Sequence, residues 1–150
     1  MGNDKIVNEV EGLLRDLFKF GTAFRQRARR RLHENNYDLS PEQIVTLINI
    51  KEGDHLTMTE IAERMVRDKT TLTRMTENLE KMGLVEKITD PNDRRQIFLK
   101  LTDSGLNRLK QIQALNPTMG SIAANNLTYE QVKVTRKTIS TMIGNFLNEK

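Results

Sequence analysis

Residues 57–101 decide the fold: Thr57-Met58-Thr59-Glu60-Ile61-Ala62-Glu63-Arg64-Met65, then Val66-Arg67-Asp68, then Lys69-Thr70-Thr71-Leu72-Thr73-Arg74-Met75, and finally two short apolar runs, Leu84 to Thr89 and Gln96 to Leu101. Thr57 with Glu60 three residues later is a capping box, in which side chain and backbone satisfy each other's free donors. It opens a short helix with Ile61, Ala62 and Met65 inward. A second helix is expected from about Lys69 to Met82, with Leu72, Met75, Leu79 and Met82 on one face and Gly83 as its stop. Beyond Gly83 the period shortens. The two runs are rich in β-branched and apolar residues, and Asp90-Pro91-Asn92-Asp93-Arg94-Arg95 between them is a charged turn, so they read as a hairpin.

Outward from this unit the chain is helical. Towards the amino end, Ser40-Pro41-Glu42-Gln43 is another capping box, with Pro at the first helical position, where its missing N–H costs nothing. Ile44, Leu47 and Ile48 are that helix's expected buried face, and Gly53 its end. Before it, Ile6, Val10, Leu13, Leu17, Phe20, Phe24, Ala28 and Leu32 recur at steps of three or four. Such a stripe predicts a helix of about thirty residues, long enough to suggest a packing partner. Towards the carboxyl end, Thr102-Asp103 caps a helix carrying Leu106, Leu109 and Ile112. Pro117 and Gly120 are expected to kink or break it. Thr128-Tyr129-Glu130-Gln131 starts the last helix, with Val132, Ile139, Met142, Ile143 and Phe146 along one side.

Composition narrows the class. At 150 residues the chain suits one domain, and 37% hydrophobic with 29% charged residues suits a soluble, helix-rich protein. The net charge of +4 permits nucleic-acid binding without requiring it, so the placement of the charges matters more. There is no cysteine, which removes disulfides, thiolate metal sites and thiol redox sensing. The start, Met-Gly-Asn-Asp-Lys, has no apolar core behind a basic end, so no secretory signal is expected. The longest apolar stretch, Ile44 to Ile50, is interrupted by Thr46 and Asn49 and is too short to span a bilayer. The expectation is a soluble cytoplasmic chain without membrane contact.

Short helix, turn, second helix and hairpin define a winged helix-turn-helix, and the expected class is mainly α with a small β-hairpin wing. In a helix-turn-helix the second helix enters the major groove of duplex DNA, where its first residues reach base edges. Opposite the apolar face of that helix stand Thr70, Thr73, Arg74, Glu77 and Lys81, with Thr71 at the flank and Lys69 at its start. Arg can fork onto the two acceptors of guanine, and Thr can bond a base or touch a thymine methyl. At the hairpin tip, Arg94 and Arg95 stand where a narrow minor groove attracts inserted arginine. Asp93 beside them can hold a guanidinium in fixed geometry. Each feature alone reads as a solvated face or an ordinary charged turn; their succession favours DNA.

The stretches 56–63, 70–75 and 79–85, the wing 90–95, and Leu99-Lys100-Leu101-Thr102 with Gly105 together resemble the MarR family of multiple antibiotic resistance regulators. The resemblance covers nearly the whole chain. It implies a single domain over 1–150, with a winged helix-turn-helix lobe at about 40–102 and dimerisation helices at about 4–35 and 103–149. It also implies a homodimer that binds double-stranded DNA at an inverted-repeat operator, mostly represses, and is released by a small phenolic or other aromatic effector. Carried onto this chain, the base-reading positions are Thr70, Thr71, Thr73 and Arg74, and the minor-groove arginine is Arg95, oriented by Asp93. Lys69 and Arg94 join them as DNA-binding candidates. Members that sense oxidants do so through cysteine, which this chain lacks.

Weaker features have ordinary readings. His33 and His55 are the only histidines, so no metal site and no cofactor are expected. His33 and Tyr37 fall where the family's effector pocket often lies and are candidate ligand contacts. The five arginines from Arg25 to Arg31 point around a helix and read as a solvated end beside a favourable dipole. The seven methionines read as core filling. An enzyme would need a nucleophile with its base, paired carboxylates or a metal cluster, and none stands out. A winged helix used only for protein contacts is the other class; it would favour an acidic or apolar second helix without wing arginines.

Overall fold

Ser40 fixes where the helical scaffold of the lobe begins. Its hydroxyl accepts from the Gln43 N–H at 3.1 Å, and the Gln43 side chain accepts from the Ser40 N–H at 2.7 Å. That capping box opens α2 (Pro41–Glu52) in the computed structural model, which describes residues 2–53, 56–115 and 117–148. Before it runs α1 (Gly2–Glu34), closed by Asn36 in a left-handed conformation and by the Tyr37 N–H donating to the Leu32 carbonyl at 2.9 Å. After it come α3 (Met58–Arg64), α4 (Lys69–Lys81), β1 (Val85–Thr89), β2 (Ile97–Leu101) and α5 (Asp103–Gln113), then α6 (Met119–Ala123) and α7 (Tyr129–Asn148). The fold is mainly helical with one antiparallel hairpin, as expected.

The chain divides into two compact units, Met1–Ala114 and Leu115–Lys150. The first holds one core, in which Leu47, Ile61, Leu72, Leu79, Leu84 and Leu109 are fully buried, so α2, α3, α4, the hairpin base and α5 converge on one cluster. Truncating any one of these leucines to alanine would cost roughly 2–5 kcal/mol. Among the described residues of α1, the last turns join the buried set through Ala28 and Leu32; Ile6, Phe18 and Phe20 further up stand exposed. In the second unit, α7 starts with the Thr128 hydroxyl accepting from the Gln131 N–H at 3.3 Å. Within that unit no side chain of α7 is buried, and Val134, Phe146 and Leu147 are exposed. Among the described residues no helix is long and apolar enough to cross a membrane.

Several boundaries differ from the sequence reading. In α4 the buried residues are Leu72, Thr76 and Leu79; Met75 is half-buried and Met82 is 39% exposed. Met82 is the C-cap, where the chain turns through left-handed Gly83 (φ +70), and Leu84 enters the core in its place. Thr76 is tolerated there because its hydroxyl donates to the Leu72 carbonyl at 3.0 Å, leaving no unsatisfied polar atom. In α2 the buried set is Pro41, Thr46, Leu47 and Ile50, with Ile44 and Ile48 packed against the core. Thr46 is satisfied in the same way by the Glu42 carbonyl at 2.9 Å. α5 stops at Gln113, ahead of Pro117, and Gly120 sits inside α6 rather than breaking a helix.

Candidate nucleic-acid interface

The helix-turn-helix is held by local chemistry at each end of its turn. Thr57 and Glu60 form the expected box, with the Glu60 carboxylate accepting from the Thr57 N–H at 2.8 Å and its hydroxyl at 2.7 Å. These bonds hold the Glu60 carboxyl below its ordinary range, the backbone bond contributing most. The turn passes through Met65 and left-handed Val66 (φ 51), with the Arg67 N–H donating back to the Ala62 carbonyl at 2.9 Å. Asp68 then caps α4: its carboxylate takes the Thr71 hydroxyl at 2.6 Å and the Thr71 N–H at 2.8 Å. The Thr71 hydroxyl is the larger cause of a lowered Asp68 pKa, the Thr71 N–H the second.

This geometry distributes the sequence candidates. Lys69, Thr70, Thr71 and Arg74 are exposed on the first turns of α4. The Thr71 hydroxyl proton is committed to Asp68, so toward a ligand that oxygen can act only as an acceptor. Thr73 is half-buried, its hydroxyl donating to the Lys69 carbonyl at 2.8 Å. Thr73 and Lys69 face the wing, whereas Thr70 and Arg74 stand outside the groove between them.

The wing is a register-tight hairpin in which Val85 pairs with Leu101 and Thr89 with Ile97. Thr57 adds an isolated bridge to Phe98, tying the start of α3 to β2. The tip is closed by the Asp90 N–H donating to the Gln96 carbonyl at 3.0 Å, and the Asp90 carboxylate takes the Asn92 N–H at 2.7 Å. The contact expected between Asp93 and the Arg95 guanidinium takes another form. The Asp93 carboxylate accepts the Arg95 backbone N–H at 3.0 Å and the Gln96 side-chain amide at 3.4 Å. Two residues apart in a turn, a short carboxylate reaches the main chain before it can reach a guanidinium. Asp93 thus shapes the loop that carries Arg95, while Arg94 and Arg95 both remain exposed.

Between α4 and the hairpin lies a groove of about 610 Å³ onto which Lys69, Thr73, Arg95, Thr59, Lys87 and Gln96 open. The first three were legible from the sequence. Thr59, Lys87 and Gln96 were missed, because the reading stopped at the helix and the loop tip; the alternation along β1 was the signal available for Lys87. The Lys87 ammonium lies 2.8 Å from the Glu80 carboxylate.

The two ligand candidates have separate surroundings. His33 is exposed in the last turn of α1. Tyr37 is half-buried with the Arg108 guanidinium 5.7 Å from its ring centre. Among the described residues no group of three or more His, Asp or Glu side chains is gathered as metal ligands.

A helix-turn-helix with a basic wing and a cationic groove beside its second helix defines a winged helix-turn-helix protein of the nucleic-acid-binding type. Residues 39–97 match the model of the MarR family. The HTH-type transcriptional repressor NicR of Pseudomonas putida is 30% identical over 127 residues, 79% of this chain and 75% of that protein. The HTH-type transcriptional repressor MdtR of Bacillus subtilis is 31% identical over 94 residues, 63% of this chain; the match spans 61% of that relative, less than two thirds of its length. A mutant MarR from E. coli, crystallised in complex with operator DNA, superposes with a TM-score of 0.78 at 25% identity over 90% of this chain and 96% of that one. The chain belongs to the MarR family, and these relatives are transcriptional regulators, not enzymes.

Proposed function

We propose that this chain is a transcriptional repressor that binds an inverted-repeat operator as a homodimer and leaves it when a small aromatic effector binds. The observation that carries the reading is the joining of Lys69 and Thr73 of α4 with Arg95 of the wing around one groove. In this reading Thr70, Thr71, Thr73 and Arg74 meet base edges in the major groove, with Lys69 at the helix start, and Arg94 and Arg95 approach the adjacent minor groove. Asp93 fixes the loop that carries them. A structurally similar relative crystallised with operator DNA supports DNA as the partner.

Dimerisation is supported by what each unit leaves uncovered: Ile6, Val7, Phe18 and Phe20 on α1, and Val134, Ile143, Phe146 and Leu147 on α7. A two-fold dimer reads two half-sites about one helical turn apart. We assign the organisation to a single domain, with the lobe at about 40–102 and dimerisation helices on either side. His33 and Tyr37 are assigned to effector binding, and the lack of cysteine makes the signal an organic ligand rather than an oxidant. The test is selection of fragments from a random duplex pool by the purified protein, with light scattering of the same sample. A dimer that enriches an inverted repeat is expected; a monomer, or no enrichment, overturns the reading.

A further inference from the structure

A separate cleft of about 270 Å³ lies where the last turn of α2, the two strands and the first turn of α5 meet. Neither His33 nor Tyr37 lines it, and neither do the base-reading residues of α4. Among the described residues its lining is six apolar residues and two lysines, with no carboxylate. Ile88 and Phe98 are register partners and Lys100 alternates with Phe98, so the three stand on one face of the hairpin. Ile88 is 41% exposed there. On the scaffold side stand Ile50, which is buried, and Leu106, which packs against the core.

The two cations have little to hold them. Lys51 is exposed, and no described carboxylate pairs with it. Lys100 meets Glu86 across the strands at 4.0 Å, with both side chains more than half exposed. An exposed pair at that distance contributes little, so a second carboxylate can take the ammonium. A ligand that suits these walls therefore has an apolar tail and one negative charge. Phe98 is the one aromatic residue on the lining, so the cleft offers no pair of rings to sandwich a planar molecule. Its volume lies just below the roughly 300–1,000 Å³ usual for small-molecule pockets, which limits the length of the tail.

We propose that this cleft binds a medium-chain aliphatic carboxylate, with the tail against Ile50, Ile88, Phe98 and Leu106 and the carboxylate at Lys51 and Lys100. Seated there, the ligand bridges the wing to the ends of α2 and α5. The site is independent of the operator-binding reading, because nothing in it needs DNA.

The experiment titrates the full chain, labelled at its isoleucine methyl groups, with hexanoate, octanoate, dodecanoate and octanol, followed by NMR. Octanoate is expected to shift Ile50 and Ile88 to saturation and to leave Ile6 and Ile143, exposed on α1 and α7, in place. It should bind about fifteenfold more tightly than hexanoate, or about fourfold for each of the two further methylenes buried. Dodecanoate should gain nothing more, because the added methylenes stay in water. The double variant Lys51→Gln, Lys100→Gln should weaken octanoate by up to about fivefold, the range of exposed ion pairs, and leave octanol unchanged.

Ile88→Glu sets a carboxylate in the cleft on a side chain exposed enough to carry it, and should abolish the Ile50 shift at an unchanged urea midpoint. If that variant unfolds, the double lysine variant still decides. Equal weakening of octanol by the lysine changes overturns the proposal, and so do shifts spread over Ile6 and Ile143. No saturable shift at Ile50 and Ile88 with any of the acids overturns it as well, the result expected if a second copy of the chain covers the cleft.

Discussion

Gly105 in the first turn of α5 lies directly against the Leu84 carbonyl, so close that a Cβ at Gly105 would strike that backbone oxygen. The same joint is closed by the Thr102 N–H donating to the Leu84 carbonyl at 3.1 Å and the Thr102 hydroxyl donating to the Gly83 carbonyl at 2.6 Å. The Gly105 N–H in turn donates to that hydroxyl at 3.0 Å. One residue thus caps α5 and fastens it to the base of the wing. Gly105→Ala should destabilise the protein by about 1–3 kcal/mol, the usual cost of overpacking, since the obstacle is main chain and cannot rotate aside. Urea unfolding of the variant measures it; an unchanged midpoint would show that the joint yields.

Val66 offers the opposite sign. It is a β-branched residue in left-handed backbone at the helix-turn-helix turn, and its side chain is 56% exposed. A left-handed residue with a Cβ costs roughly 1–2 kcal/mol, and Asn tolerates the region better than Val. Val66→Asn should therefore raise stability by on the order of 1 kcal/mol, because little burial is lost. A lower melting temperature for that variant would mean the Val66 methyls contribute more to packing than their exposure implies.

Acid should loosen the recognition helix at its start. Asp68 and Glu60 both have carboxyls held below their ordinary values by bonds to Thr71 and Thr57. A lowered folded-state pKa gives stability that is fully present above the unfolded value and is lost as pH falls through the folded one. The loss should begin as pH drops past the ordinary values of 4.5 for Glu60 and 3.8 for Asp68 and continue below them. Asp68→Asn keeps an acceptor for the Thr71 N–H but does not titrate, so its unfolding midpoint should decline less steeply between about pH 5 and about pH 3. Parallel declines in parent and variant would remove Asp68 from the account.

Arg74 and Arg95 should fail differently when each becomes Ala, because they stand on opposite sides of the groove wall formed by α4. Arg74 is assigned a fork onto guanine, a contact worth roughly 1–3 kcal/mol of discrimination. Arg74→Ala should weaken the selected duplex and relax preference at one base position per half-site. Arg95→Ala should lower affinity and flatten the salt dependence while leaving that preference intact, with an effect on sequence limited to an A·T-rich flank. Isotherms for both variants on single-base-changed duplexes over a salt series decide this. Parent-like binding by both would sink the groove assignment.

Local chemistry made most of the scaffold legible. Ser40 with Gln43, Thr57 with Glu60, and Thr102 announced three helix starts, because a cap is satisfied within three residues and depends on nothing distant. Gly83 announced the end of α4 for the same reason, since left-handed backbone is a property of one residue. The candidates Lys69, Thr70, Thr71, Arg74, Arg94 and Arg95 were found by helical phase and turn composition, and all are exposed.

Tertiary structure decided what depends on neighbours far along the chain. Thr76 is buried and Met82 exposed because the turn at Gly83 carries Leu84 into the core, and no helical period encodes where a following strand will pack. Asp93 holds the Arg95 main chain and not its guanidinium, because loop geometry sets which donor lies within reach. Lys87 joins Lys69 and Arg95 around one groove only once β1 is laid beside α4, its ammonium paired with the Glu80 carboxylate. Sequence determined the elements and their ends, where the interactions are short-range; the fold determined which side chains share a surface, because that requires segments far apart in the chain to be brought together.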